Sequence, residues 1–144
     1  MKPSQSPELT LSFLDHVALR VADVERAAAW YGQVLGLKRY QLPEWGPVPI
    51  FMLAGKSGVA LFPARLEEPE SDPGSRNVKI DHFAFQVDRE NYEKAKKRYT
   101  ELGLEFSEQD HHYFHSIYTQ DPDGHTVELT TLVVAAEDFY AKSG

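Results

Sequence analysis

The 144-residue chain contains no cysteine. Disulfide bonds, thiolate metal sites and cysteine nucleophiles are therefore excluded. It also lacks any apolar run of about 18 residues, the length that predicts a membrane-spanning helix. Positive charge is scarce, because 15 Lys and Arg stand against 22 Asp and Glu, for a net charge of −7. This balance disfavours nucleic acid and anionic membranes as partners.

The remaining composition predicts a globular protein. Hydrophobic residues make up 42% of the chain, which is enough to bury a core in one domain or in two small fused modules. The first eight residues are polar and include two prolines, with no apolar signal core. We therefore expect a cytoplasmic protein.

One sequence pattern occurs twice, at 14–21 and at 80–87, separated by close to half the chain. Both copies alternate with period two, as a half-buried strand does. In the first copy Val17 and Val21 share one face, and His16 lies on the other. His82 has the equivalent place in the second copy. Two such modules, packed symmetrically, would bring both histidines together as part of a metal site.

Each half of the chain predicts the order strand, helix, three strands. Asp23 and Asp88 are expected to cap the two helices, and Gly36 and Gly103 to end them. The buried face of the second helix is predicted to carry Tyr92, Ala95, Tyr99 and Leu102. The predicted strands are 13–21, 37–42, 49–53, 59–63, 79–87, 104–107, 113–119 and 126–133, and a short helix is predicted at 135–142. The predicted domains are a tail at 1–12, a first module at 13–66, a linker at 67–78, a second module at 79–133 and a C-terminal segment at 134–144.

A third candidate ligand lies in the last predicted strand. Glu128 stands between the apolar Val127 and Leu129, so it points to the face that carries His16 and His82. Two imidazoles and one carboxylate suit divalent transition metals and leave coordination positions open. Taken singly, a strand histidine is more often structural, and a terminal glutamate is more often solvated or paired with a cation.

These residues resemble a known superfamily. The segments Leu14-Asp15-His16-Val17-Ala18-Leu19-Arg20-Val21-Ala22-Asp23 and Asp121-Pro122-Asp123-Gly124-His125-Thr126-Val127-Glu128-Leu129 are similar to the first and last motifs of the vicinal oxygen chelate superfamily. The resemblance spans about residues 13–132. It implies an α+β fold of two βαβββ modules that form a half-closed mixed barrel. It also implies a divalent metal ion on His16, His82 and Glu128, with Fe²⁺ favoured and Mn²⁺, Zn²⁺ or Ni²⁺ as alternatives. The modules of such proteins pair within a chain or across a dimer, and we expect a homodimer that acts on a small molecule.

The branches of this superfamily differ at positions that can be compared here. Glyoxalase I adds a glutamate ligand where this chain aligns Ala60. Fosfomycin-resistance thiol transferases place an arginine shortly beyond the last ligand, whereas 132–138 contains neither arginine nor lysine. Bleomycin-binding proteins generally lack the metal ligands. Extradiol dioxygenases use two histidines and one glutamate, which match this chain.

The extradiol resemblance also implies roles for other residues. Tyr118 resembles the tyrosine that hydrogen-bonds the metal-bound substrate oxygen. One of His111, His112 or His115 is expected to be the acid–base group, with His115 and His112 as the leading candidates. Ser116, Phe51 and Phe62 are expected to line the substrate cavity.

An extradiol dioxygenase-like oxidoreductase is therefore the leading hypothesis from sequence. The alternatives are a non-redox lyase, isomerase or thiol transferase on the same ligands, and a non-catalytic drug-binding resistance protein.

Overall fold

A computed structural model describes residues 8–70 and 72–143, with the side chains of 141–143 left undescribed. Residues 1–7 of the predicted tail and Ser71 of the predicted linker lie outside the described part. Within the described residues, no helix has both the length and the apolar character needed to cross a lipid bilayer.

The first module forms one four-stranded mixed sheet backed by a helix. Its elements are β1 (His16–Val21), α1 (Val24–Leu35), β2 (Lys38–Tyr40), a 3-10 turn (Pro43–Trp45), β3 (Ile50–Ala54) and β4 (Ser57–Pro63). The strand order is β1-β4-β3-β2. β1 runs parallel to β4, whereas the other neighbours are antiparallel.

The second module repeats this plan. Its elements are β5 (Phe83–Gln86), α2 (Arg89–Glu101), β6 (Ser107–Asp110), β7 (Phe114–Gln120) and β8 (Thr126–Leu132), followed by α3 (Ala136–Ser143). The order β5-β8-β7-β6 matches that of the first sheet, again with only the first pair parallel. The structure thus confirms an α+β fold built from two βαβββ modules.

The two long helices begin where the sequence predicts. The Asp23 carboxylate accepts a hydrogen bond from the Arg26 N–H at 3.0 Å, and Asp88 accepts one from the Asn91 N–H at 2.8 Å. Gly36 ends α1 at φ 72°, a left-handed conformation that glycine adopts without steric cost.

Each sheet buries one face under its helix. Leu19 and Val21 of β1 pack with Ala27 and Tyr31 of α1 in one core cluster. The corresponding cluster of the second module contains Tyr92, Tyr99, Ile117 and Leu129. The opposite face of each sheet, which carries His16 in the first module and His82 with Glu128 in the second, is called the site face below.

Three details of the second module differ from the sequence prediction. The strand predicted at 79–87 is found only at Phe83–Gln86. Leu102 is not part of the buried helix face, because α2 ends at Glu101 and the Leu102 side chain is 38% exposed. The strand predicted at 104–107 is found at Ser107–Asp110. Leu104 and Phe106 do pack against the core, but the hydrogen-bonded ladder begins after them. Leu104 and Phe106 are apolar because they pack against the core. The β6 strand is polar, so its sequence gives no sign that it pairs with β7.

A turn of the second module fastens it to the first. Asp121 is buried and accepts hydrogen bonds from the Tyr31 hydroxyl at 2.7 Å and from the Asp123 and His125 N–H groups at 2.9 Å. Asp123 in turn accepts a hydrogen bond from the Ala22 N–H at 2.9 Å. Burial, and then the Asp121 charge, raise the pKa of the Tyr31 hydroxyl, so it remains a donor. These contacts fix how the two modules of one chain sit together.

Gly58 is required where β4 passes between β1 and β3. A Cβ atom at this position would lie 2.1 Å from the Met52 carbonyl oxygen, which is backbone and cannot rotate away. Gly58→Ala is therefore expected to lower the free energy of unfolding by at least about 3 kcal/mol. Denaturant unfolding measures this change. Gly32→Ala is the matched control, because a Cβ there makes an ordinary 3.6 Å contact and alanine favours the helix, so stability should not fall. Equal stability of Gly58→Ala and wild type would contradict the packing described.

Candidate metal site

The second module places an imidazole and a carboxylate in direct contact. His82, immediately before β5, has its Nε2 2.9 Å from Oε1 of Glu128 on β8. The other carboxylate oxygen accepts a hydrogen bond from the Ser116 hydroxyl at 2.5 Å. Glu128 is only 6% exposed although no lysine or arginine pairs with it among the described contacts. A buried carboxylate held in this way beside an imidazole is suited to a cation.

Both candidate histidines are oriented by the residue before them. The Nδ1 of His82 lies 2.8 Å from the Asp81 carboxylate, and the Nδ1 of His16 lies 2.8 Å from that of Asp15. The hydrogen bond with His82 holds the pKa of Asp81 below its ordinary value. A carboxylate on Nδ1 fixes the tautomer that leaves Nε2 with a lone pair for a metal ion. The Asp-His pair therefore supports a ligand role for each histidine.

The two site faces are related position by position. The Phe51 ring on β3 packs edge-on against the His16 ring, with 5.0 Å between the ring centroids. The Tyr118 ring on β7 packs edge-on against the His82 ring, with 5.7 Å between the centroids. Phe51 pairs with Ala60 across the sheet, as Tyr118 pairs with Glu128. Ala60 therefore occupies the position of Glu128 in the first module, and its methyl group cannot bind a metal ion.

One chain does not assemble all three candidate ligands. Among the described residues, no group of three or more His, Cys, Asp or Glu side chains is close enough together to hold a metal ion. His82 and Glu128 form one part of a site, while His16 lies on the other module with Asp15 and Phe51 as its contacts. His82 and Glu128 fit a divalent ion in donor type and orientation, and His16 does not join them within the chain.

Tyr118 lies beside this half-site and contacts a histidine. Its hydroxyl is 3.0 Å from Nε2 of His111, whose ring also packs against Phe114 at 4.9 Å. Burial, and then the charge of Glu128, raise the pKa of Tyr118, so its phenol stays protonated at neutral pH. An open cleft of about 940 Å³ borders His82 and Tyr118 and leaves room for a small molecule.

The other predicted site residues lie in several places. His115 shares the strand face of Ile117, which belongs to the core, and its Nε2 is 3.6 Å from Asp110, so it points away from Tyr118. His112 occupies the turn before β7 at φ 68°. Neither contacts Tyr118, whereas His111 does. Only the geometry of that turn selects His111 from the three neighbouring histidines, and the sequence alone carried no signal for the choice.

The predicted cavity-lining residues are also distributed over both modules. Ser116 is fully buried and holds Glu128, which makes it a support for the carboxylate. Phe51 and Phe62 lie on the site face of the first module. The Arg20 guanidinium covers the Phe62 ring at 5.4 Å and donates a hydrogen bond to the Pro63 carbonyl at 3.0 Å.

Removing the Ser116 hydroxyl should weaken metal binding without unfolding the sheet. Ser116→Ala leaves one oxygen of Glu128 without its donor, and we expect the affinity for Mn²⁺ or Zn²⁺ to fall about 10- to 100-fold. Calorimetric titration of the metal-free protein measures the affinity. Thr100→Ala, which removes a hydroxyl on α2, serves as the control and should bind metal as the wild type does. Unchanged affinity in Ser116→Ala would contradict the support assigned to this hydroxyl.

The chain is similar to known proteins over most of its length. It is 27% identical over 126 residues to the glutathione transferase FosA of Serratia marcescens, covering 88% of this chain and 85% of that protein. It is 26% identical over 138 residues to the metallothiol transferase FosB of Lysinibacillus sphaericus (strain C3-41), covering 93% of each. Its fold matches the crystal structure of a glyoxalase/dioxygenase from Nostoc punctiforme with a TM-score of 0.71 and 21% identity, covering 90% of this chain and 100% of that one.

These similarities bear on the branch of the superfamily. Both named relatives are transferases, so they support the thiol transferase alternative over the extradiol dioxygenase hypothesis and give no support to an oxidoreductase. The family model described as Glyoxalase/Bleomycin resistance protein/Dioxygenase superfamily matches residues 13–129. The match covers both modules, including all of β1 and the first half of β8, with Glu128. The chain belongs to the Glyoxalase/Bleomycin resistance protein/Dioxygenase superfamily.

Proposed function

We propose that this protein is a metal-dependent transferase that joins a thiol to a small substrate with two adjacent oxygens. The observation that carries the proposal is the contact of His82 with Glu128, a buried carboxylate that can bind a cation. Similarity to FosA and FosB supports the choice of thiol transfer among the reactions that use such ligands. A divalent ion that acts as a Lewis acid, such as Mn²⁺, Zn²⁺ or Ni²⁺, suits this chemistry and replaces the Fe²⁺ that the dioxygenase hypothesis favoured.

The metal site is completed by a second copy of the chain. His16 of one copy joins His82 and Glu128 of the other, so that a symmetric dimer holds two equivalent sites. The equivalent Asp15–His16 and Asp81–His82 pairs support this assignment, because both histidines are prepared in the same way. The order of strands supports it as well, since β1 and β5 are edge strands of their sheets in the single chain.

The chain's own residues supply binding and orientation. His16, His82 and Glu128 are the ligands, Ser116 holds Glu128, and Tyr118 faces the substrate. With Nε2 of His111 protonated, its N–H donates to the Tyr118 oxygen and leaves the phenol O–H free to donate to a substrate oxygen. A bound divalent ion polarises the substrate oxygens and stabilises the negative charge that develops as a carbon–oxygen bond breaks.

The overall reaction needs no oxidant. The thiol sulfur forms a bond to an electrophilic carbon, the carbon–oxygen bond at that carbon breaks, and the thiol proton ends on the released oxygen. This balance differs from that of the dioxygenase hypothesis, in which O₂ is consumed.

Thiol consumption tests the proposal. Protein loaded with Mn²⁺, Zn²⁺ or Ni²⁺ is incubated with glutathione or L-cysteine and a panel of epoxides that carry a second oxygen on the group next to the ring, and adducts are followed by loss of free thiol and by mass. We expect metal-dependent adduct formation that is lost on chelation. Oxygen consumption with catechols, without thiol adducts, would overturn thiol transfer in favour of oxygenation. Stoichiometric metal with neither reaction would overturn the transferase assignment.

A further inference from the structure

Aromatic side chains cluster beside each half of the candidate metal site. The first cluster consists of Tyr40, Trp45 and Phe51, next to His16. The ring centroid of Trp45 lies 5.2 Å from that of Phe51 and 6.0 Å from that of Tyr40. The ring centroids of Phe51 and His16 are 5.0 Å apart. Trp45 remains 37% exposed and Tyr40 47% exposed, so ring surface is open to a ligand.

The second cluster consists of Tyr113, Phe114, Phe139 and Tyr140, and the His111 ring connects its Phe114 with Tyr118. Helix α3 carries Phe139, whose ring centroid lies 5.6 Å from that of Phe114 and 5.8 Å from that of Tyr113. Tyr140 packs on Phe139 at 4.9 Å, and its hydroxyl accepts a hydrogen bond from the Gln86 side chain at 2.9 Å. Gln86 and Phe114 both lie on the site face, so α3 forms a wall at one end of that face.

Fixed positive charge is scarce on the same surfaces. None of the strands β5 to β8 contains a lysine or an arginine, and neither does the segment 132–138 that leads into α3. In the first module Arg20 is already engaged by the Pro63 carbonyl and the Phe62 ring. Lys38 lies on the outermost strand, β2, on the same face as Tyr40. Lys79, three residues before His82, donates a hydrogen bond to the Pro73 carbonyl at 2.6 Å. An anionic substrate group such as a phosphonate therefore finds no lysine or arginine on the strands that carry Glu128 and Tyr118.

We propose that the substrate is an uncharged aromatic electrophile, held between the two aromatic clusters while its adjacent oxygens face His82 and Glu128. This inference rests on the proposed thiol transfer and on the shared metal site, which would bring the first cluster of one copy toward the second cluster of its partner. Edge-to-face and offset packing against rings favours a flat aromatic group, and the surrounding acidic charge disfavours an anion.

Two epoxides that differ in charge and aromaticity test this assignment. The metal-loaded dimer is assayed with glutathione and either 3-phenylglycidol, which is aromatic and uncharged and carries a hydroxyl next to its epoxide, or fosfomycin, which carries a phosphonate next to its epoxide. We expect the rate of adduct formation per enzyme to be at least about tenfold higher with 3-phenylglycidol. A rate with fosfomycin equal to or above that with 3-phenylglycidol would overturn the aromatic assignment and leave thiol transfer standing. Absence of adducts from both, with metal bound, would instead overturn the proposed function.

Variants separate ring contact from a general loss of folding. Trp45→Ala and Phe139→Ala are each expected to raise the KM for 3-phenylglycidol about 5- to 10-fold, with little change in kcat. Leu66→Ala removes a side chain that is 74% exposed and should leave both constants unchanged. Direct binding of 1-phenylethane-1,2-diol, measured by calorimetry, should weaken in the same two variants. Unchanged KM and binding in both variants would overturn the role of the clusters.

Discussion

Replacing His82 by alanine is expected to lower the affinity for a divalent metal ion by more than about 100-fold. The imidazole is oriented by Asp81 and lies 2.9 Å from Oε1 of Glu128, so its removal takes away a prepared ligand and leaves that carboxylate oxygen without its imidazole partner. Metal content after dialysis and calorimetric titration with Zn²⁺ both report the change. Wild-type affinity in His82→Ala would remove this residue from the site.

His16→Ala should cause a loss of similar size. Within one chain His16 does not join the contact of His82 with Glu128, so a site confined to those two residues would be insensitive to its removal. His112→Asn is the matched control, since the structure places this residue in the turn before β7 and asparagine tolerates its positive φ. Metal content should be unchanged in that variant. A metal content in His16→Ala equal to that of the wild type would argue against a shared site.

Replacing Asp121 by alanine is expected to lower the free energy of unfolding by about 3 to 4 kcal/mol. The buried carboxylate accepts hydrogen bonds from the Tyr31 hydroxyl and from two backbone N–H groups, and alanine would leave all three donors without it. Denaturant unfolding gives the value. Tyr31→Phe should cost about 1 to 2 kcal/mol, because it removes only one of these bonds.

The double variant Tyr31→Phe/Asp121→Ala tests whether the two residues act on each other. We expect it to lose less stability than the sum of the single variants, since both remove the same hydrogen bond. Asp138→Ala, an exposed aspartate at the start of α3, should be close to neutral. Additive losses in the double variant would show that Tyr31 and Asp121 stabilise the fold independently.

Much of the fold could be predicted from local patterns. The alternation around His16 and His82 predicts which strand face is buried, because a half-buried strand must keep its apolar residues on one side. Asp23, Asp88 and Gly36 predict helix ends, because their chemistry suits the unpaired groups there. Such features depend on neighbours in sequence, so the sequence contains the information.

The β6 strand and the position of His111 could not be predicted in this way. β6 is an exposed polar edge strand, so no apolar period marks it. Its Glu108 accepts hydrogen bonds from Tyr92 and Lys96 of α2, which only the folded module brings near. His111 contacts Tyr118, unlike His112 and His115, because of the conformation of the turn before β7, which the sequence does not reveal.

The candidate ligands were predicted by residue type and face, but their arrangement was not. The repeat predicts that two site faces meet, and it is equally consistent with faces from one chain or from two. The branch of the superfamily was also poorly constrained, because dioxygenases and thiol transferases share a ligand set of two histidines and one glutamate. Similarity to FosA and FosB, rather than the ligand pattern, moved the interpretation toward transfer.

A heterodimer of two inactive variants tests the shared site most directly. His16→Ala and Glu128→Ala chains, each with a different affinity tag, are produced together, and the mixed dimer is isolated by both tags. One of the two metal sites of this dimer has lost both the His16 imidazole and the Glu128 carboxylate. The other site keeps His16, His82 and Glu128. We expect about one metal ion per mixed dimer, half the wild-type content, with none in either parent dimer. A mixed dimer that binds no metal would contradict the shared site, because ligands drawn from a single chain cannot be restored by mixing.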